Sequence, residues 1–181
     1  KYTSGDKEGG LYAVESWYSW HSRDDYTNNI FSIRNTYYGR IDDNDVDKVD
    51  GNLNAFASYT DFDDAGDIAE ESLSTLIASV NPELDEKIKT LIFESAKAIQ
   101  AIPQPFRNNI DSEESVAAMD KCMELAGALK NELLPFVTNE LSNSKYDAQL
   151  DAVAEQFVDA VVLPTYKLSL IHISEPTRPR L

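Results

Sequence analysis

The sequence predicts an all-α protein, built as an antiparallel helical bundle. Apolar residues recur three and four positions apart in several successive segments, which is the spacing of an amphipathic helix. Asn, Ser, Gly and Pro separate these segments at positions typical of helix starts and stops. No segment alternates with period two for long, and short connections between successive helices favour antiparallel packing.

Composition excludes several classes of function. The chain has 181 residues, 42% of them hydrophobic, with a formal charge of −16 and a pI near 4.3. This acidity argues against nucleic acid as a partner, which needs a basic patch, and suits cations or basic partners. No run of about 18 apolar residues is present, so we expect no transmembrane segment.

The first helix is predicted over residues 22–38. Ser22 and Asp25 have the spacing of a capping box, and Gly39 is a typical stop. An apolar face comprises Tyr26, Ile30, Ile33 and Tyr37.

A second face of this helix, about 100° away, carries short hydrogen-bonding side chains. We call Asp25, Asn29, Ser32 and Thr36 the polar stripe; Asn28 and Asn35 flank it. Such residues are mediocre helix formers because they compete for backbone hydrogen bonds. The stripe is therefore either a ligand or ion site, or a polar network that fixes the register of two helices.

Residues 42–71 are acidic, with eleven Asp and Glu against one lysine. We expect a solvated loop, with room for a short helix, followed by a helix over about 67–80. Asn81 and Pro82 predict the cap and first residue of a helix over 82–102. The apolar face of that helix comprises Leu84, Ile88, Leu91, Ile92, Ser95, Ile99 and Ile102.

Two more helices are predicted towards the C-terminus. One is capped by Asp111 or Ser112 and runs to about 134, where Pro135 stops or kinks it. Its predicted inward face comprises Val116, Met119, Met123, Ala126, Leu129 and Leu133. The other starts at a second capping box, Ser144 with Asp147, and runs to about 163.

Metal and nucleophile signals are sparse. Cys122 is the single cysteine and His21 and His172 are the two histidines, which excludes an internal disulfide and a Cys- or His-rich metal site. His21 with Asp24, and His172 with Glu175, have helical spacing but no third ligand. Nothing places a histidine near a serine, so a catalytic triad has no support.

Val14 to Gly39 resembles the imelysin-like family, particularly its members from Bacteroidetes. The shared pattern is S-x-x-D-[YF]-x-N-N-I-x-S-I-x-N-x-Y-x-G, matched here from Ser22 to Gly39. N-P-E-L-D at 81–85 and A-I-Q-A-I-P-Q-P-F at 98–106 fit as well, and the resemblance covers about 14–137.

The resemblance implies an all-helical protein of two related bundles, periplasmic or on the cell surface and often lipid-anchored. It also implies a link to iron uptake, and a metallopeptidase label. The family's site joins a G-x-H-x-x-E motif in the first bundle to polar residues of the second. Here the nearest match runs from Gly10 to Glu15, with Tyr12 where histidine belongs. We therefore expect this chain to be the second bundle of a longer protein, whose N-terminal bundle and lipid anchor precede Lys1.

The predicted organisation has four parts. Residues 1–21 lead into the imelysin-like bundle of 22–140. Residues 144–167 resemble the first helix of a second imelysin-like domain, and 168–181, which turn basic and Pro-rich, read as a foreign tail.

The leading functional hypothesis is a protein that binds iron, or an iron-linked small ligand, in a cleft between bundles. Its candidate ligand-binding residues are Glu15, Asp25, Asn28, Asn29, Ser32 and Asn35. Oxygen donors with few histidines suit a hard cation better than zinc. The alternatives are a metal-dependent peptidase whose motif lies upstream, and a purely structural polar helix face.

Overall fold

The computed structural model describes residues 21–41, 53–64, 66–142 and 145–162, and these form the predicted antiparallel helical bundle. No strand occurs within these ranges. Helix α1 is Ser22–Tyr38, α2 Tyr59–Phe62, α3 Leu73–Val80, α4 Pro82–Gln100, α5 Glu113–Ala128 and α6 Asp147–Phe157. Short 3₁₀ turns cover Leu53–Ala55 and Phe106–Asn108. None of the described helices is long and apolar enough to cross a membrane.

Helix α4 is the centre of the bundle, with α1 on one side and α5 on the other. All seven residues of its predicted apolar face are buried. Side-chain contacts show that both neighbours run antiparallel to α4, because residues late in one helix meet residues early in the other. On the α5 side, Lys87 pairs with Glu132 and Glu94 pairs with Lys121. The Tyr37 hydroxyl bonds Asp85 while Arg23 bonds the Gln100 carbonyl, at opposite ends of the α1–α4 pair.

The helix starts follow the predicted capping chemistry at two of three sites that the structure describes. The Asn81 side chain accepts from the Leu84 N–H at 3.2 Å, with Pro82 in the first turn of α4. Ser112 accepts from the Ser115 N–H at 3.2 Å and starts α5. The capping box at Ser22 is wrong, because His21 occupies the cap position without a side-chain bond and Ser22 is already helical. The box predicted at Ser144 lies outside the described residues.

The acidic segment is not the solvated loop that was predicted, where the structure describes it. Leu53 and Phe62 are fully buried, and Phe62 packs against Phe31 and Phe93. The predicted short helix is present as α2. The next helix, α3, begins at Leu73 rather than near 67, because Ser72 caps it by accepting from the Thr75 N–H.

Pro135 does not end the helix that contains α5. The helix continues to Leu141, with wide π-type turns at Leu129–Leu133 and Val137–Leu141 on either side of the proline. Proline lacks an N–H and its ring collides with a carbonyl four residues earlier in a regular α-helix. Wide turns beside it are a common way to accommodate such a local break.

The predicted inward face of α5 is largely wrong. Val116, Met119 and Met123 are exposed, as is Ala126, while Leu133 is buried and Leu129 half-buried. The face that meets α4 instead carries Ala118, Leu125 and Ala128. This helix has apolar residues on two faces, and periodicity alone could not tell which of them packs on α4.

Candidate functional site

The polar stripe lies on the face of α1 that points away from the core. The residues that α1 buries include Thr27, Ile30, Phe31, Arg34 and Tyr38. At 100° per residue, the stripe is roughly opposite the middle of that buried arc. Within the described part of the chain the stripe is thus an outer surface of the bundle.

The candidate residues differ in exposure. Asn28, Asn29 and Ser32 are exposed, whereas Asp25 and Asn35 are half-buried. Glu15 lies outside the described residues, so nothing tests its position. The described candidates share one helix and span about 15 Å between Asp25 and Asn35 at 1.5 Å per residue.

Two hydroxyl groups of the stripe bond to their own helix. Ser32 donates to the Asn28 carbonyl at 3.0 Å, and Thr36 donates to the Ser32 carbonyl at 2.9 Å. Each hydroxyl oxygen retains lone pairs that can accept a bond or contact a cation. These two hydroxyl groups therefore present oxygen acceptors to their surroundings, while the asparagine amides offer both donors and acceptors.

Two further oxygens are shielded from solvent on the same helix. Asp25 Oδ2 and Asn35 Oδ1 are buried and have no hydrogen-bond partner among the described residues. Unpartnered buried acceptors cost free energy, so such groups in native proteins generally call for an explanation such as a bound ion.

The metal-ligating side chains of the described residues are dispersed. They contain no group of three His, Cys, Asp or Glu placed to hold a metal ion. His21 Nδ1 lies 3.6 Å from Asp24 Oδ2, which agrees with the predicted spacing, but the described residues add no third ligand.

A buried ionic cluster behind the stripe was not predicted from the sequence. The Arg34 guanidinium donates to Asp63 Oδ1 through Nε at 3.2 Å and Nη2 at 2.8 Å, and to Asp67 Oδ2 at 2.6 Å. It also lies over the Tyr38 ring, 4.7 Å from the centroid. The position of Arg34 within the apolar arc of α1 was the signal that could have revealed it.

A second buried carboxylate, Asp85, joins three helices. It accepts from the Tyr37 hydroxyl at 2.9 Å and the Ser74 hydroxyl at 2.8 Å, and its other oxygen lies 2.6 Å from Lys89 Nζ. Burial, and then the nearby Asp85 carboxylate, raise the pKa of Tyr37 above its ordinary range. Burial and Asp63 do the same to the pKa of Tyr38.

These buried carboxylates are already held by donors of the bundle. Asp63 receives Arg34 and the Tyr38 hydroxyl, and Asp85 receives a tyrosine, a serine and a lysine. Buried charges of this kind persist because they are paired and hydrogen-bonded. The bonds to Asp85 fix α1 and α3 against α4.

An open groove of about 600 Å³ lies between α4 and α5. Phe93, Ala98 and Ala117 contribute its apolar surface, and Lys121 bridges Glu94 at 2.7 Å and Glu124 at 3.0 Å. Hydrogen bonds from Lys121 to these two carboxylates raise the pKa of its ammonium. Three carboxylates (Glu94, Asp120 and Glu124) and two lysines (Lys97 and Lys121) line the groove, so it is slightly acidic.

Comparisons with known proteins place this geometry in context. The family model Peptidase_M75, described as Imelysin, matches residues 3–133. Among solved structures, the chain is 38% identical to a "putative iron-regulated protein A precursor" from Parabacteroides distasonis ATCC 8503, with a TM-score of 0.51. That match covers 66% of this chain and 27% of the other, so the chain spans about a quarter of that protein's length. None of the curated proteins matches.

Proposed function

We propose a role in iron uptake for this chain, which belongs to the imelysin family. The support for iron is the 38% identity to the Parabacteroides distasonis protein, which is named as iron-regulated. Its description as a precursor supports export, and we propose a periplasmic or cell-surface location with a lipid anchor supplied by a preceding segment.

The proposed site is a cleft of which the polar stripe forms one wall. Asp25, Asn29 and Ser32 provide oxygen ligands on successive turns, with Asn28 and Asn35 at the edge and Glu15 nearby. The observation that carries the proposal is the Asp25 carboxylate, because its Oδ2 is shielded yet has no hydrogen-bond partner among the described residues. Carboxylate and amide oxygens are ligands for hard cations, and iron in its ferric form is one.

The opposite wall, in this proposal, belongs to an N-terminal bundle of the same protein. The solved relative is much longer than the part that this chain matches, which supports such a second portion.

Calorimetric titration of the proposed longer protein, which we call the product of the uninterrupted gene, tests the proposal. Ferrous iron and weakly chelated ferric iron should each be offered, with zinc as the comparison, since oxygen donors should favour iron. Saturable binding of iron that exceeds zinc supports the proposal. Binding of zinc alone, or of neither metal, contradicts it.

A metal-dependent peptidase is the second candidate, favoured by the name of the matching family model. Its metal would be held by residues outside the described part of the chain. Cleavage of a peptide substrate that a chelator abolishes and added metal restores would support it. A third hypothesis, a purely structural polar face, predicts that Asn29→Ala lowers the stability of the protein and leaves metal binding intact.

A further inference from the structure

Helix α5 presents a strip of apolar side chains to solvent over residues 116–126. Val116, Met119 and Met123 are 48%, 56% and 66% exposed. Together with the exposed Ala126 these residues form what we call the methionine stripe, and the exposed Lys130 follows it on the same face. The spacing from 116 to 126 is three, four and three residues, which places them on one helix face. Contiguous exposed apolar surface of this kind marks an interaction site.

The stripe is exposed because α5 lies at the edge of the described bundle. Its small buried residues Ala118, Leu125 and Ala128 face α4, the separate helix against which it packs extensively. By contrast, α1 packs on both α3 and α4. Helices in a bundle normally bury a broad apolar face between two neighbours. The outer face of α5 has the composition of a buried face without such a neighbour among the described residues.

We infer that the methionine stripe is covered by an amphipathic helix from another part of the same polypeptide, an inference that rests on the longer protein in the proposed function. The match to the solved relative leaves 73% of that relative's length for other helices. A second copy of this chain is disfavoured, because each copy carries a net charge of −16. Methionine is adaptable in packing and suits a surface that meets another element.

Acidic residues beside the methionine stripe indicate the charge that a covering helix should carry. Glu113 and Asp120 are exposed along one edge of the stripe, seven residues apart and therefore on one side of the helix. A covering helix should therefore carry lysine or arginine along the matching edge. Charge complementarity of this type fixes register more than it adds affinity.

Methionine oxidation tests the inference directly, because Met119 and Met123 are the two methionines of the chain. The product of the uninterrupted gene is treated with hydrogen peroxide, native and in denaturant, and sulfoxide formation at both residues is followed by mass spectrometry. Burial should slow oxidation of both about tenfold or more in the native protein. Native and denatured rates that agree within about twofold would overturn the inference.

The 181-residue chain serves as the uncovered reference. Both methionines should oxidise in it at the fast rate at every protein concentration. Protection that increases with protein concentration would indicate a second copy as the occupant and would overturn the inference.

A variant pair checks that the covering helix is responsible for the protection. Met123→Lys in the longer product places an ammonium three residues after Asp120, a favourable spacing within α5 itself. Because a lysine at this position would displace the covering helix, the variant should accelerate oxidation of Met119. The control Val80→Lys, at a 37% exposed valine outside the stripe, should not. Unchanged protection of Met119 in Met123→Lys would overturn the inference. Iron titration of the same samples tests the proposed function separately. Methionine protection without iron binding would contradict the iron site alone, and iron binding without protection would contradict the covering helix alone.

Discussion

The buried Arg34 and the partly buried Asp63 form an ion pair in which the guanidinium donates twice to one carboxylate oxygen, from Nε at 3.2 Å and Nη2 at 2.8 Å. Asp67 completes the arrangement at 2.6 Å from Nη2. This pair joins α1 to the acidic segment before α3, across 29 residues of sequence. It holds the inner face of α1 in place and so fixes the direction in which the polar stripe points.

Arg34→Met should destabilise the bundle strongly. The substitution leaves Asp63 and Asp67 without their shared cation, and breaking a buried ion pair costs about 3–5 kcal/mol. The midpoint and slope of urea unfolding measure the change. Arg40→Ala is the control, because the Arg40 bond to the Gly66 carbonyl is exposed, and this change should cost about 1 kcal/mol or less. Equal effects of the two substitutions would contradict the role assigned to Arg34.

The stability of the bundle should fall steeply at alkaline pH. Burial raises the pKa of Tyr37 and of Tyr38, so both stay protonated in the folded state while they ionise in the unfolded state above pH about 10. The stability that these two tyrosines contribute is complete below that pH and is lost as pH rises, with a slope that approaches about 1.4 kcal/mol per pH unit for each tyrosine. Tyr37→Phe should roughly halve this part of the slope, as measured by urea unfolding between pH 9 and 11. An unchanged slope in Tyr37→Phe would show that this hydroxyl does not cause it.

Gly39→Ala should destabilise the end of α1. Gly39 has φ of +67°, and an added Cβ would lie 3.2 Å from Ser72 Cβ and 3.3 Å from Gln156 Cγ. A non-glycine residue in the left-handed region costs about 1–2 kcal/mol, and the crowding adds to that cost. Gly127→Ala is the matched control, since its added Cβ has open space and alanine favours a helix. Thermal unfolding should therefore separate the two variants in sign, and a stabilised Gly39→Ala would contradict this account.

Sequence reasoning succeeded where a helix buries one uninterrupted face. In α4 every predicted apolar position is buried, and Asn81, Pro82 and Gly39 act as the predicted start and stop residues. These signals are local, so they need no knowledge of the partner helices.

Sequence reasoning failed where distant residues decide the outcome. Arg34 is buried because Asp63 and Asp67 meet it from 29 and 33 residues away, a pairing that no local spacing encodes. In α5, two apolar faces compete, and the choice depends on what packs beside the helix. The spacing of polar residues in α1 predicted the polar stripe. It could not predict which element lies opposite the stripe, because that depends on residues outside α1.

The proposed site depends most directly on the Asp25 carboxylate, so iron affinity of Asp25→Ala is the deciding measurement. Calorimetry should compare it, in the product of the uninterrupted gene, with the wild type and with Asp151→Ala, which removes an exposed carboxylate from α6. Thermal unfolding of each variant confirms that the fold is retained. Loss of a charged ligand should weaken iron binding about tenfold or more in Asp25→Ala, with Asp151→Ala unchanged. Wild-type affinity in a folded Asp25→Ala protein would contradict the assignment of the polar stripe as the wall of an iron site.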